Sequence, residues 1–418
     1  RVLNNIEWSE LMSIEVRKLS NGIPVLMDNI DSINTISLGI FVKTGSRDEY
    51  PEESGVSHYI EHMMFKGTTN RTAKDISEEV DNEGGMINAY TSRDATCYYI
   101  QMLSNKIEKG VEILSDMFAN STFTEENLEK ERNVIIEEIR MYEDIPEETI
   151  HDENIKFAVT GTQSNSVLGT IESLNGIDRD RFVKYFKDQY RASNLVISVA
   201  GKMECDKLFE MLEKGFGKLE DYPVERNIDN NYIINSGENK IVRDTNQVHL
   251  CFNTKGVSLV DEMKYPAAII SSVLGGNMSS RLFQKIREER GLAYSVYTYS
   301  SAFLEGGVFT VYAGTTHESY RDVIDIIRAE FEDIRENGIT AYELQKSKNQ
   351  FLSMLTFSLE GSKGRMNRMA NSYLLYGEVI DIDKIIDSIE KITLDDIKET
   401  AKVIFDEKYY SWTILGNV

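Results

Sequence analysis

The hydrophobic pattern of the first half of the chain switches repeatedly between the two-residue spacing of strands and the spacing of helices. Residues 14–27 and 34–44 alternate apolar and polar positions around Asn21-Gly22, which predicts a strand hairpin followed by another strand. Strand patterns also occur at 86–101 and 195–200. Helical spacing is found in four further segments, at residues 72–82, 106–118, 125–143 and 180–189. The pattern predicts an α+β unit.

The second half of the chain repeats the first. Residues 123–133 resemble residues 339–349, and the offset between Thr124 and Thr340 is 340 − 124 = 216 residues. The three residues that begin at Val199 resemble those at 414–416 at an offset of 215. A nearly constant offset over this length indicates two copies of one unit.

A stretch of low hydrophobicity separates the two copies. Residues 218–240 contain Pro223 and clustered Asn, Asp and Glu, a composition typical of linkers. The chain has 418 residues, which exceeds the usual size of a single core. We therefore expect two homologous α+β domains at residues 13–217 and 241–418, each with a mostly antiparallel sheet flanked by helices.

Charge and cysteine content narrow the classes of function. The formal net charge of −23 argues against nucleic acid as a partner, because phosphates would be repelled. This negative charge would attract cationic substrates over long distances. The alternative is that it serves only to keep the protein in solution. Three widely spaced cysteines, Cys97, Cys205 and Cys251, with no Cys-x-x-Cys pair, indicate a reduced, cytoplasmic protein.

Targeting and membrane segments are not expected. The sequence has no run of 18 apolar residues and no basic region followed by an apolar one at its start, so we expect neither a membrane span nor a signal peptide. Residues 1–11 are interpreted as an appendage to the fold.

The candidate chemistry begins in residues 55–67, where His58, Glu61 and His62 stand at i, i+3 and i+4. On a helix these side chains share one face. Two neutral imidazoles one turn apart can bind one zinc ion, and a carboxylate beside them can accept a proton from water. The order is that of the His-Glu-x-x-His peptidase motif reversed. The alternative is an amphipathic helix with two hydrogen-bonded histidines.

A third ligand is expected in the segment 125–142. Its apolar residues recur every seven positions, and Glu131 and Glu138 occupy the intervening positions of the stripe that should be buried. Buried carboxylates are costly unless they are paired or bound to a metal, so both are candidates for the site. The alternative is the rim of a charged surface helix.

Together these residues resemble the pitrilysin/insulinase family of zinc peptidases, especially its short branch, which includes the mitochondrial processing peptidase and bacterial homologues. The resemblance extends from about residue 16 to the C-terminus. It implies that His58, His62 and Glu138 bind one Zn²⁺ per chain, that Glu61 is the general base, and that Glu131 supports the site from outside the ligand set. Ligand type alone would also suit manganese, cobalt or iron.

The resemblance assigns roles to four further residues. Arg287 and Tyr294 would orient the substrate and stabilise the oxyanion in the zinc site of a second chain, which implies a homodimer with these residues supplied in trans. Asn88 and Ala89 would pair with the main chain of an extended peptide. From the residues alone, Arg287 is a helix-surface charge, Tyr294 a core aromatic, and Asn88 and Ala89 part of an ordinary strand.

Only the first copy retains the metal motif. At the offset of 216, Met354 stands where Glu138 would be, and the second half has no His-x-x-Glu-His. The expected function is a zinc-dependent metalloendopeptidase that hydrolyses short or unfolded peptides inside a closed chamber. The alternatives are a non-catalytic scaffold or partner subunit, and a chain that is active only with a different, degenerate partner.

Overall fold

The computed structural model describes residues 14–222 and 231–418, so the predicted appendage at 1–11 and part of the predicted linker lie outside the described residues. The described chain forms two compact units, each built around one sheet. The first unit comprises residues 14–139, 165–222 and 356–384. The second comprises residues 140–164, 231–355 and 385–418.

The sheet of the first unit has the strand order β1-β2-β6-β3-β5-β4. In chain order its strands are β1 (Ile14–Lys18), β2 (Pro24–Asn29), β3 (Thr35–Val42), β4 (Met86–Thr91), β5 (Thr96–Leu103) and β6 (Leu195–Gly201). Only β2 and β6 pair in parallel among these strands. The predicted hairpin is present, and Gly22 makes its turn at a φ of 90°, a value that glycine adopts without strain.

Helices cover one face of this sheet. They are α1 (Val56–Met64), α2 (Ala73–Asn82), α3 (Ile107–Asn120), α4 (Glu125–Glu143, whose last four residues belong to the second unit), α6 (Ile171–Gly176), α7 (Arg179–Gln189) and α8 (Cys205–Phe216). Alternate strand residues such as Val25, Ile40 and Ile100 pack with Ile60 and Leu114 of the helices, and all five side chains are fully buried. Burial of this face fixes α1 and α4 beside each other on the sheet.

The sheet of the second unit has the order β7-β11-β8-β10-β9, again with one parallel pair, β7 and β11. Its strands are β7 (Gly237–Val242), β8 (Val248–Gly256), β9 (Ala293–Ala302), β10 (Gly307–Thr315) and β11 (Ser411–Gly416). Its helices are α9 (Lys264–Gly275), a π-helix (Phe283–Glu288), α10 (Tyr320–Asn337), α11 (Ala341–Glu360, which ends in the first unit), α13 (Ile382–Glu390, which begins in the first unit) and α14 (Leu394–Ile404). This order matches β2-β6-β3-β5-β4 of the first sheet, as duplication of one unit requires. The predicted α+β class is confirmed.

Two helices at the same place in the repeat are exchanged between the units. Helix α5 (Pro146–Ala158) packs on β8 and β11 of the second unit, and α12 (Ser362–Tyr376) packs on β3 and β6 of the first. Their starts differ by 362 − 146 = 216 residues. The continuous domain ranges predicted from the sequence do not include this exchange, and β7 begins inside the range predicted as linker.

Helix α12 covers the face of the first sheet opposite α1. Met366 packs against Leu26, Phe41 and Val196 there, and the Arg365 guanidinium pairs with the fully buried carboxylate of Asp28 at 3.1 Å. Among the described residues, no helix combines the length and apolar character needed to cross a membrane.

Candidate metal centre

Helix α1 begins at a buried N-terminal cap. Gly55 precedes the helix at a φ of 88°, in the left-handed region. The Glu49 carboxylate accepts the backbone N–H groups of Gly55 and Ser57, at 2.7 and 2.8 Å, which have no partner within the helix. Burial raises the pKa of Glu49 to about 8 despite these two hydrogen bonds. The start of the motif helix is therefore fixed from inside the core.

The structure brings the three predicted ligands together. The Nε2 atoms of His58 and His62 lie 3.9 and 3.7 Å from Oε2 of Glu138, and the two imidazole rings are 4.6 Å apart between centroids. His58 and His62 face each other because they stand one turn apart on α1, and α4 places Glu138 opposite them. One ligand atom from each residue lies within 4.8 Å of the others, the only such group of three among the described His, Cys, Asp and Glu side chains.

This arrangement fits a zinc ion. Ligand atoms of a tetrahedral zinc site are roughly 3.3 Å apart, and the two histidine nitrogens lie 3.9 and 3.7 Å from the Glu138 oxygen, only slightly farther. Burial, together with the neighbouring His62, lowers the pKa of His58 to about 4. The His58 imidazole is therefore neutral at pH 7 and has a lone pair to offer a metal.

Glu61 lies beside the candidate ligands and has one hydrogen-bond partner among the described residues. The Thr91 hydroxyl, at the end of β4, donates to Oε2 of Glu61 at 2.5 Å. Burial raises the pKa of Glu61, while Thr91 and His62 counteract part of this effect. A carboxylate with a raised pKa is suited to accept and return a proton near neutral pH. Sequence reasoning did not identify Thr91, although it directly follows the Asn-Ala-Tyr stretch of the predicted strand.

Glu131 links two side chains on the outer side of His62. Its Oε2 lies 3.2 Å from Nδ1 of His62, and its Oε1 accepts the Lys66 ammonium at 2.7 Å. The residue is buried, with 8% of its surface exposed. Glu131 thus contacts a candidate ligand from outside the ligand set, and its supporting role stays a prediction; Lys66 was not identified from the sequence.

Asn88 and Ala89 lie on β4, the edge strand nearest the site. Both residues pair with β5 on one side only. Asn88 is exposed and Ala89 half-buried. Because Thr91 of the same strand contacts Glu61, the free edge of β4 runs alongside the motif helix. An extended peptide could add to this edge as a further strand.

Arg287 and Tyr294 lie in the second unit, next to each other. The Arg287 guanidinium is 4.8 Å from the ring centroid of Tyr294 and 4.9 Å from that of Phe283. Tyr294, near the start of the edge strand β9, is 73% exposed. The view of Tyr294 as a core aromatic is therefore wrong, because its side chain points to solvent. Arg287 lies on a helical segment as expected, but the segment is a π-helix.

Two family models match consecutive parts of the chain. The model described as insulinase, peptidase family M16, matches residues 25–170, and the model described as peptidase M16 inactive domain matches residues 176–351. The first range contains all three candidate ligands, and the second contains Arg287 and Tyr294. The division agrees with a repeat in which only the first copy retains the metal motif.

Relatives of similar length match almost the whole chain. The chain is 38% identical over 393 residues to the uncharacterized zinc protease YmxG of Bacillus subtilis, covering 93% of this chain and 95% of that protein. It is 34% identical over 401 residues to a similarly named zinc protease of Streptomyces coelicolor, covering 93% and 87%.

Solved structures share the fold. The crystal structure of a protease from Helicobacter pylori matches with a TM-score of 0.89 at 22% identity, covering 97% of this chain and 100% of that one. A peptidase M16 inactive domain from Pseudomonas fluorescens matches with a TM-score of 0.90 at 17% identity, covering 97% and 98%. At these identities the likeness establishes the architecture.

Proposed function

We infer that this chain, which belongs to the insulinase family of peptidases (family M16), is a zinc-dependent metalloendopeptidase that cleaves short or unfolded peptides. The main support is the convergence of His58, His62 and Glu138 on one point, with Glu61 beside them. Relatives with 34–38% identity are named zinc proteases. We propose one Zn²⁺ per chain.

Zinc, when bound, supplies a Lewis acid that polarises the scissile carbonyl and makes water more acidic. Glu61 accepts the proton of the attacking water and then returns it to the leaving amine. Its burial-raised pKa suits both steps. Thr91 holds the Glu61 carboxylate by one oxygen and leaves the other for the proton.

The substrate would be bound in extended form. Its main chain pairs with the free edge of β4 at Asn88 and Ala89, which selects flexible segments over folded proteins. The net charge of −23 would favour basic peptides through long-range attraction. Cleavage would take place in a closed chamber, where the size of the substrate sets the specificity. The proposed location is the cytoplasm.

We further propose that two copies of the chain form a homodimer in which Arg287 and Tyr294 act on the substrate in the zinc site of the partner. The support is chemical: a half-buried guanidinium beside an exposed phenol offers donors for a carbonyl and its oxyanion. The exposure of Tyr294 leaves the pair available to another molecule.

The test is cleavage of a flexible, basic peptide of about 15–20 residues, long enough to add as a strand. We expect the zinc-loaded protein to cleave it, a chelator to abolish cleavage, and zinc to restore it. Glu61→Gln should lower kcat by about 10²–10⁴-fold while zinc binding persists. Glu129→Gln, an exposed change on α4, is the matched control and should leave kcat unchanged.

The match of residues 176–351 to an inactive-domain model is also compatible with one competing function, a non-catalytic scaffold or partner subunit. In that case the wild-type protein and Glu61→Gln would bind zinc and be equally inert. Activity that appears only after addition of a different chain would instead indicate a hetero-partner.

A further inference from the structure

We propose that Lys66 is a positioning residue for the candidate ligand His62 and acts through Glu131. This inference rests on the proposed zinc site. The Lys66–Glu131 ion pair, which lies outside the candidate ligand set, would contribute to zinc affinity. Lys66 makes no contact with a ligand atom among its described contacts, so its effect must pass through the carboxylate.

The three side chains form a continuous row. The Lys66 ammonium lies 2.7 Å from Oε1 of Glu131, and Oε2 of Glu131 lies 3.2 Å from Nδ1 of His62. The opposite nitrogen of His62, Nε2, faces Glu138 at 3.7 Å. Each oxygen of Glu131 thus has its own partner, and this fixes the plane of the carboxylate.

Lys66 is anchored at its backbone as well. The Asn127 side-chain amide donates to the Lys66 carbonyl at 3.2 Å, and Asn127 stands one turn before Glu131 on α4. Lys66 in turn stands four residues after His62, just beyond the end of α1. The segment after the motif helix is therefore joined to α4 by both its main chain and its side chain.

Orientation of Glu131 determines which nitrogen of His62 is free. A carboxylate at Nδ1 accepts an N–H there, which leaves the lone pair on Nε2, the atom that faces the other ligands. His58 has no such arrangement, since its buried Nδ1 has no hydrogen-bond partner among the described residues. Of the two candidate histidine ligands, His62 is therefore the one whose free nitrogen is set by a described hydrogen bond.

The Lys66 charge keeps Glu131 in this place. Only 10% of the Glu131 side chain is exposed, whereas that of Lys66 is 33% exposed. A buried carboxylate without its cation would bear an uncompensated cost of burial and would turn towards water. This movement releases His62 from its orientation.

The experiment measures the zinc Kd of the metal-free protein by competition with a chromophoric chelator. Lys66→Met should raise the Kd by up to about 10–100-fold, the usual cost of losing the group that holds a metal ligand, here the Glu131 contact through which Lys66 acts. Lys66→Arg, which keeps the cation, should recover most of this loss. Lys130→Met is the matched control, because it removes the same charge one residue from Glu131 but breaks only an exposed pair with Glu126.

A double-mutant cycle tests the route of the effect. In a Glu131→Gln background, Lys66→Met should cause no further loss of zinc affinity. The ¹⁵N NMR spectrum of the metal-free wild type should show His62 with its proton on Nδ1, and Lys66→Met should shift it to a mixture of tautomers. The wild-type spectrum keeps the test decisive even if a variant does not fold.

The inference is overturned if Lys66→Met and Lys130→Met bind zinc equally well, if the loss persists in full beside Glu131→Gln, or if His62 in the wild type carries its proton on Nε2. Wild-type protein that binds no zinc overturns both the inference and the proposed function. Zinc-loaded wild type that cleaves no peptide overturns the proposed function alone.

Discussion

Two buried glutamates near the motif helix show how partners, rather than burial, decide what a carboxyl group does. Burial raises the pKa of both Glu49 and Glu61. The Glu49 carboxylate accepts hydrogen bonds from two backbone N–H groups and so stabilises the start of α1. Glu61 accepts one described hydrogen bond, from a hydroxyl, on one oxygen, and its other oxygen accepts none that is described. The first is a structural cap, and the second suits the proton transfer that we propose for it.

The cap can be tested by substitution of Glu49. Glu49→Ala leaves two N–H groups of α1 without acceptors, so we expect the free energy of unfolding to fall by about 1–3 kcal/mol. Glu49→Gln keeps one oxygen as acceptor but turns an NH₂ group towards the second N–H, so it should cost less than Glu49→Ala but more than nothing. Urea unfolding measures both, with the exposed Glu52→Ala as control. Equal stability of Glu49→Ala and wild type would refute the capping role.

At the scale of residues, the sequence predicted those site residues whose relative positions follow from helical pitch alone. His58, Glu61 and His62 could be selected from their spacing, and Glu131 and Glu138 from a seven-residue repeat, because neighbours on one helix are determined locally. Thr91 and Lys66 could not be selected. Their contacts depend on how β4 and α4 pack beside α1, and neither residue type in itself indicates a metal site.

At the scale of elements, the π-helix of the second unit is attached to its neighbours by ion pairs. Arg281, just before it, bonds both carboxylate oxygens of Glu343 on α11, at 2.7 and 2.9 Å, and Asp333 on α10 at 2.7 Å. Lys285 within it pairs with the buried Glu330 of α10. The segment that carries Arg287 is therefore held at its start by charge pairs with two helices.

This attachment predicts a pH-dependent stability. Burial alone would raise the pKa of Glu343, but Arg281, together with hydrogen bonds from Thr340, lowers it from 4.5 to about 2. A lowered pKa means that the ion pair stabilises the fold above pH 4.5 and that this contribution is lost as the pH falls towards 2. Glu343→Gln should therefore lower the free energy of unfolding at pH 7 by up to about 3 kcal/mol.

Chemical denaturation of Glu343→Gln and wild type at several pH values is the measurement. The difference in free energy of unfolding between wild type and Glu343→Gln should be constant above pH 4.5 and should decrease towards zero as the pH approaches 2. The exposed Glu332→Gln on α10 is the control and should show no such trend. A difference that does not change with pH would show that packing, not charge, accounts for the loss.

Many elements of the first half were predictable from a local hydrophobic period, although α5, α6 and α8 were not predicted. Helix α2 begins and ends at Ala73 and Asn82, within the segment predicted at 72–82, and the predicted strand at 195–200 is β6. The ion pairs of Arg281 were not predictable. On a sequence, charged residues at helical spacing are indistinguishable from a solvated surface until the partner helix is known.

At the scale of the whole molecule, one α+β unit occurs twice, and only the first copy has the metal motif. The sheets share one strand order, but the second copy has Met354, 71% exposed, at the position equivalent to Glu138. The repeat could be found in the sequence because it preserves spacing. The exchange of α5 and α12 could not, because an amphipathic helix does not indicate which of two similar sheets it covers.

Complementation between inactive variants tests the proposed homodimer. Glu61→Gln keeps Arg287 and Tyr294, whereas a chain with Arg287→Ala and Tyr294→Phe keeps the complete ligand set. If sites are shared between chains, each variant alone should be nearly inert. After mixing and exchange, half of the dimers are mixed and each has one complete site, so about a quarter of wild-type activity should return.

Light scattering should give the mass of two chains in the same samples. A strict monomer, or a mixture as inert as its components, would contradict the shared site. Mixing Glu61→Gln with a chain altered at both Glu138→Gln and Arg287→Ala is the control, because no combination of these two chains contains a complete site.

The exchanged helices also bear on how the protein is made. The last strand of the first sheet ends at Gly201, and α12, which covers the outer face of that sheet, begins at Ser362, so 362 − 201 = 161 residues of further synthesis separate them. Until then Leu26, Phe41 and Val196 have no covering helix. The first unit cannot be completed as it leaves the ribosome, and a nascent chain stalled before this point would display an apolar sheet face to chaperones and proteases.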